Sequence, residues 1–303
     1  MGVRLYQVPE LDSPIMIAGW PGIGNIGSIA INTLRGQVKA EEFGEIEPWD
    51  FFYPRKVTIK DGELMDLEFP ASKFYYSRTE TRHLVFFVGE EQPGGFGKPY
   101  AEGARAYRMA NMVLDVALEL GCRRIYTSGA AVAAVHHTAR PRVWAVPNSE
   151  RMLEELALYD NAVVMSDIEG RGGQGNITGL NGLLLGVARK RGIDAMCLMG
   201  EIPIYLQGFA FPYPRAARSV LEFLSSHLSL KVDLEGINAL AARSDDEIER
   251  LYKKFPVEIK EQLDKLKYVS HIKQAGPGPI TEEDKKNILE EIDRFFKKRL
   301  KED

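Results

Sequence analysis

Ile15-Met16-Ile17-Ala18-Gly19-Trp20-Pro21-Gly22-Ile23-Gly24-Asn25-Ile26-Gly27 is the stretch that decides how the rest of the chain is read. Its first five residues form an apolar run stopped by Trp20-Pro21-Gly22, the profile of a strand buried on both faces. Beyond the glycines, Ile26, Ile29, Ala30 and Leu34 recur at helical spacing. A buried strand turning through glycines into an amphipathic helix is the opening unit of an α/β fold.

Working outward, the same alternation continues. Residues 84–88 read as the clearest buried strand, followed by a glycine-rich loop over 89–99 and a long helix ending near Leu120. Further strands are predicted over 124–127, 142–146, 162–165 and 194–200, with helices over 150–159, 180–191 and 215–227. Residues 57–59 and 63–67, joined through Asp61-Gly62, predict a hairpin. Such alternation implies a largely parallel sheet covered on both faces by helices, an α/β/α sandwich. Ligand sites in these sheets lie at the carboxyl ends of the strands, so the loops of interest begin at Gly19, Gly89, Ser128 and Gly200.

Composition limits the function classes. The 303 residues are 45% hydrophobic and 27% charged, and two cysteines, Cys122 and Cys197, argue against a disulfide scaffold and for a reducing compartment. A net charge of −4 lacks the basic excess of a nucleic-acid binder. No apolar run has the length of a signal peptide or a membrane span, so a cytoplasmic protein without a membrane partner is expected.

The charge is unevenly spread. From Lys231 onward 33 of 73 residues are charged, while 25 of the 28 glycines precede that point. The chain therefore divides into an α/β body over 1–230 and a charged helical extension over 231–303. Ser244-Asp245-Asp246-Glu247 and Thr281-Glu282-Glu283-Asp284 have capping-box spacing. Ile259, Leu263 and Leu266 form one apolar stripe, and Ile288, Ile292, Phe295, Phe296 and Leu300 another. These helices either pack on the body or serve as an oligomer or partner surface.

Gly22 to Gly27 matches G-x-G-x-x-G between a strand and a helix, where a backbone can approach a phosphate. The second strand that would end in an acidic ribose ligand is missing, and Pro21 removes an N–H, so the segment reads as a tight turn open to an anion rather than to NAD. His136 and His137 precede Arg140 and Arg142 on one loop, but no Cys, Asp or Glu stands near them with metal-site spacing. Glu90, Glu91 and Glu201 lie just past expected strand ends and are the best-placed carboxylates for catalysis. The loop over 169–176 is rich in glycine, yet no lysine occupies a Walker position. The candidate ligand-binding residues are Gly22, Gly24, Asn25, Glu90, His137 and Arg140, with no metal, no cofactor and no assigned catalytic group.

Several segments in order resemble the PAC2 family of proteasome assembly chaperone 2-like proteins. They are the stretch from Gly19 to Gly27, His137-Thr138-Ala139-Arg140-Pro141-Arg142-Val143, Gly179-Leu180-Asn181-Gly182-Leu183-Leu184, Pro203-Ile204-Tyr205 and Tyr213-Pro214-Arg215-Ala216-Ala217. The resemblance runs from about Ile15 to His227 and implies a three-layer α/β/α sandwich of phosphorylase/hydrolase-like type. It also implies a cytoplasmic homo-oligomer that acts as an assembly factor on proteasome α-subunits or another protein client, without catalysis. The family has no agreed catalytic residues to carry over. Proteasome-docking factors often carry a penultimate Tyr, whereas this chain ends Leu300-Lys301-Glu302-Asp303, so docking by its C-terminus is not expected. The alternative is a nucleoside phosphorylase-like enzyme or nucleotide-binding protein, which requires the glycine-rich segments 22–27, 90–97, 128–130 and 200–201 to converge on one pocket.

Overall fold

The computed structural model of the protein describes residues 2–94, 103–156, 162–164, 176–209, 211–268 and 290. The opening strand, β2 (Ile15–Gly19), is buried at every residue because it lies between two parallel neighbours in mid-sheet. Preceding it is β1 (Val3–Leu5); following it are α1 (Ile26–Gln37) and β3 (Glu41–Ile46). The chain then forms a hairpin, β4 (Lys56–Lys60) and β5 (Glu63–Glu68), and returns through β6 (Ser72–Arg78) and β7 (His83–Gly89). The hairpin turns as Asp61-Gly62 predicts: φ is 54° at Asp61 and 85° at Gly62, the doubly positive pair of a two-residue turn.

The second half contains α2 (Gly103–Glu119), β8 (Arg124–Ala133), β9 (Val143–Pro147), α3 (Glu150–Leu156), β10 (Ala162–Val164), α4 (Gly179–Lys190) and β11 (Asp194–Pro203). It closes with α5 (Pro214–His227), α6 (Glu235–Lys253) and α7 (Val257–Lys265). Among the described residues the main sheet has nine strands in the order β1-β3-β6-β7-β2-β8-β11-β9-β10, with β4-β5 as a separate ribbon. One hydrophobic core lies between the sheet and α2 with α4; the other lies beneath α1, α5 and the C-terminal helices. This is the expected three-layer sandwich.

Three expectations need correction. The sheet is mixed: β7-β2-β8-β11 and β9-β10 pair in parallel, but β1-β3, β3-β6, β6-β7 and β9-β11 pair antiparallel. Three of the four antiparallel pairings come from β1, β3 and β6, segments the alternation did not predict; the fourth joins the predicted strands β9 and β11. Next, Ser128 and Gly200 are not strand ends. β8 and β11 each run ten residues, with Leu198 opposite Ser128 and Gly200 opposite Ala130. Small residues there admit neighbouring helices, since a Cβ on Gly200 would meet Ile26 at 2.8 Å and the Ala216 carbonyl oxygen at 2.9 Å.

The third correction concerns Ser244, which is a buried interior residue of α6 and not its cap. Ile237, Ala241, Ser244 and Ile248 form the helix's inward stripe, and Ser244 Oγ donates to the Pro212 carbonyl at 3.0 Å. Helix α6 packs on α5, and Leu263 and Leu266 complete the same core. The capping box at 281–284 and the stripe over 288–300 lie outside the described residues, as does most of the 169–176 loop. Cys122 and Cys197 are free and buried.

Candidate functional site

Helix α1 buries Ile26, Ala30, Ile31 and Leu34 against the sheet, and so turns Asn25, Ser28, Asn32 and Arg35 outward at helical spacing. That outward stripe faces Lys73 and Tyr75 of β6 and Val88 to Glu90 at the end of β7, enclosing a cleft of about 670 Å³. No acidic residue occurs anywhere in α1. At one end, Arg35 stacks on the Tyr75 ring, 4.3 Å from its centroid, and its Nε donates to Asn32 Oδ1 at 3.2 Å. Lys73 donates to Glu42 at 2.9 Å, and this bond holds its pKa above the ordinary lysine value. At the other end, Arg55 spans Glu90 (2.9 Å) and Glu91 (2.7 Å), while Glu90 also accepts from the Ala71 N–H at 3.1 Å.

Behind Pro21 lies a second, smaller cavity of about 100 Å³, bounded by Trp20, Gly22, Gln92, Gly129 and Asn181. Gln92 bridges two elements, donating to the Pro21 carbonyl at 2.9 Å and accepting the Leu180 N–H at 3.0 Å at the start of α4. Asn181 donates to the Ser128 carbonyl at 3.0 Å, which ties α4 to β8.

Of the candidate residues, Asn25 and Glu90 share the large cleft, and Gly22 lines the adjoining cavity. Gly24, with φ of 61°, is packed against Tyr213 and Ile202 rather than facing either space. His137 and Arg140 are among the lining residues of neither. Arg140 is 71% exposed and pairs with Glu222 at 3.3 Å in a surface ion pair. Glu201 is 2% exposed and accepts from Arg142 Nη2 (3.1 Å) and Trp144 Nε1 (3.2 Å), a structural carboxylate held inside the fold. Glu90 and Glu91 are likewise occupied by Arg55. Sequence reasoning missed Arg35, Lys73 and Tyr75; the alternation of Lys73 and Tyr75 with Phe74 and Tyr76 is the period-two signal that reveals their strand.

The two histidines play a different part. Their rings lie 4.1 Å apart, both buried, under the Tyr252 ring of α6. The Tyr205 hydroxyl accepts the His137 backbone N–H at 2.7 Å and pairs with His137 Nδ1 at 2.7 Å, while His136 Nδ1 pairs with Thr138 Oγ1 at 2.8 Å. Their Nε2 atoms face the C-terminal helices, His137 toward Glu249 at 3.5 Å and His136 toward Asp264 at 3.6 Å. Burial pushes His136 down to about 4, helped by His137 and Lys267 and opposed by Asp264. Burial also lowers His137, against the pull of Glu249, with Arg215 adding to the depression and Asp245 opposing it.

A pH dependence follows with a definite sign. A neutral buried histidine binds fewer protons folded than unfolded, so its stabilisation is present above the unfolded value of about 6.5 and is lost as pH falls toward the folded one. The midpoint of thermal unfolding, Tm, is expected to fall as pH drops from 6.5 to 4. That fall is expected to be smaller in His136→Gln, which differential scanning calorimetry across the same buffers would measure. An unchanged fall in the variant would reject the assignment.

The sequence profile of the PAC2 family matches residues 16–252, which carries the likeness past His227 and through most of α6. An uncharacterized protein of Methanocaldococcus jannaschii is 28% identical over 285 residues, spanning 94% of this chain and 96% of that one. The crystal structure of Pyrococcus furiosus PbaB, an archaeal proteasome activator, superposes with a TM-score of 0.68 at 27% identity, covering 82% of this chain and 97% of PbaB. Pyrococcus furiosus PbaA, an archaeal homolog of proteasome-assembly chaperone, shares the fold with a TM-score of 0.60 at 22% identity, over 87% of this chain and 98% of that one. On the strength of a match over most of its length, this chain belongs to the PAC2 family.

Proposed function

We propose that the protein is a proteasome assembly-chaperone-like factor, a cytoplasmic homo-oligomer that works through protein surfaces on proteasome α-subunits and catalyses no reaction. The observation carrying this reading is membership of the PAC2 family, supported by the likeness in sequence and fold to PbaB, a proteasome activator, and in fold to PbaA, a homolog of proteasome-assembly chaperone. The β4–β5 hairpin adds a physical argument. Val57, Ile59 and Leu64 are 50%, 68% and 65% exposed on it, and Tyr53 beside it is 72% exposed. A two-stranded ribbon alone is marginally stable in water, and a cluster of exposed apolar side chains on one suits a contact surface.

The double substitution Ile59→Glu/Leu64→Glu tests the surface. Its expected outcome is a circular dichroism spectrum and Tm close to wild type, because neither side chain supports a core. Association of copies, or binding to purified proteasome α-subunits, is expected to weaken at least tenfold. Native mass spectrometry and sedimentation read both. A wild-type protein that stays monomeric and ignores α-subunits would overturn the function itself.

A further inference from the structure

We propose that the cleft between α1 and β6–β7 binds a small organic anion, whose phosphate or carboxylate group is received by Arg35. This goes beyond the chaperone-like reading and does not depend on it.

Charge pairing on the cleft walls carries the argument. Three cations line it, and two are already neutralised: Lys73 by Glu42, Arg55 by Glu90 and Glu91. Arg35 has no carboxylate partner among the described residues, and α1 offers it none three or four residues away. Its Nε is engaged by Asn32 and its flat face by Tyr75, so the guanidinium is held in a fixed plane with its two Nη groups left for a ligand. A guanidinium oriented in this way is a fork for the paired oxygens of a phosphate or carboxylate.

The far end of the cleft suits the neutral part of such a ligand. Asn25 sits there in the left-handed conformation, φ 50°, and its side-chain amide has no hydrogen bond to the described residues. From Asn25 to Arg35 the helix rises roughly 15 Å, and a cleft of about 670 Å³ is the size that encloses a nucleotide-sized molecule. An extended peptide is less well served. β6 and β7 are each paired on both sides, so the floor presents no free backbone edge for a peptide strand to join.

Isothermal titration calorimetry on the full chain tests this, with inorganic phosphate, citrate and adenosine monophosphate as probes and adenosine as the uncharged control. At least one anion is expected to bind with a Kd of about 1 mM or tighter and to raise Tm, while adenosine does neither. Arg35→Gln, which keeps a polar side chain and removes the charge and the guanidinium fork, is expected to weaken that binding by about tenfold or more. Asn25→Gly preserves the left-handed backbone, leaves the Arg35–Tyr75 stack intact and is expected to weaken binding several-fold. It thereby reads the site even if Arg35→Gln fails to fold. Absence of binding by all three anions, or equal binding to wild type and both variants, would overturn the proposal. So would Arg35-dependent binding of hexaglutamate without binding of any small anion, which would make the cleft a peptide site.

Discussion

Gly27→Ala is expected to destabilise the protein by about 3 kcal/mol, lowering Tm by roughly 6 °C, although it adds a single methyl group. Helix α1 crosses β8 at this point with no space between backbones: a Cβ on Gly27 would sit 2.3 Å from the Ser128 carbonyl oxygen and 2.7 Å from its carbon. Neither atom can move alone, because Ser128 is paired with Gly19 on one side and Leu198 on the other, and its carbonyl also accepts from Asn181. The helix must therefore shift, opening the core around Ile26, Ala30 and Ile31. Gly36→Ala in the same helix is the control, since nothing lies within 4 Å of its added Cβ. There the better helix propensity of alanine is expected to leave stability unchanged or slightly raised. Equal unfolding midpoints in urea for the two variants would refute the account.

The second large effect is expected at Glu201→Ala, about 3–5 kcal/mol, from breaking a buried ion pair on one side only. The substitution strips Arg142, which is 22% exposed, of the carboxylate that pairs with its guanidinium, and removes the acceptor that the Trp144 indole N–H meets at 3.2 Å. Because the cost lies in the orphaned charge, Arg142→Met combined with Glu201→Leu is expected to recover much of the loss. Urea denaturation of Glu201→Leu, Arg142→Met and the double variant, alongside Glu201→Ala, closes the cycle. A Glu201→Ala loss below about 0.5 kcal/mol, the size of an ordinary surface change, would remove this residue from the core's polar framework.

Much of the sandwich was legible in the sequence, for identifiable reasons. β2 and β7 are uninterrupted apolar runs bounded by glycine, and the Asp61-Gly62 turn names its own geometry. β3 was not legible, because its sequence Glu-Glu-Phe-Gly-Glu-Ile hides its role in partners elsewhere: Glu41 accepts from Tyr76, Glu42 from Lys73, and Gly44 makes room for β1. The glycines and alanines of β8 and β11 misled for a related reason. Small residues that admit a helix look, in one dimension, like small residues that end a strand.

The candidate site divides along the same line. Asn25 and Glu90 were accessible because each lies in the segment that leaves a readable strand, β2 or β7. Arg35, Lys73 and Tyr75 needed the antiparallel half of the sheet to bring them opposite α1. His137 was noticed as chemistry, but its surroundings, Tyr205, Glu249 and Tyr252, come from segments more than 60 residues away.

The strand order also dictates how this chain must wait during synthesis. β2 leaves the ribosome early, yet its neighbours on the two sides are residues 83–89 and 124–133, and the ten-residue match of β8 is with residues 194–203. A nascent chain that has emerged only as far as Ile193 thus carries β8 with one edge unfilled and its apolar residues uncovered. Pairings this distant in sequence form late, and exposed strand edges invite association with other chains meanwhile. A protein proposed to guide the assembly of others is, until Pro203 emerges, itself a chain in need of protection.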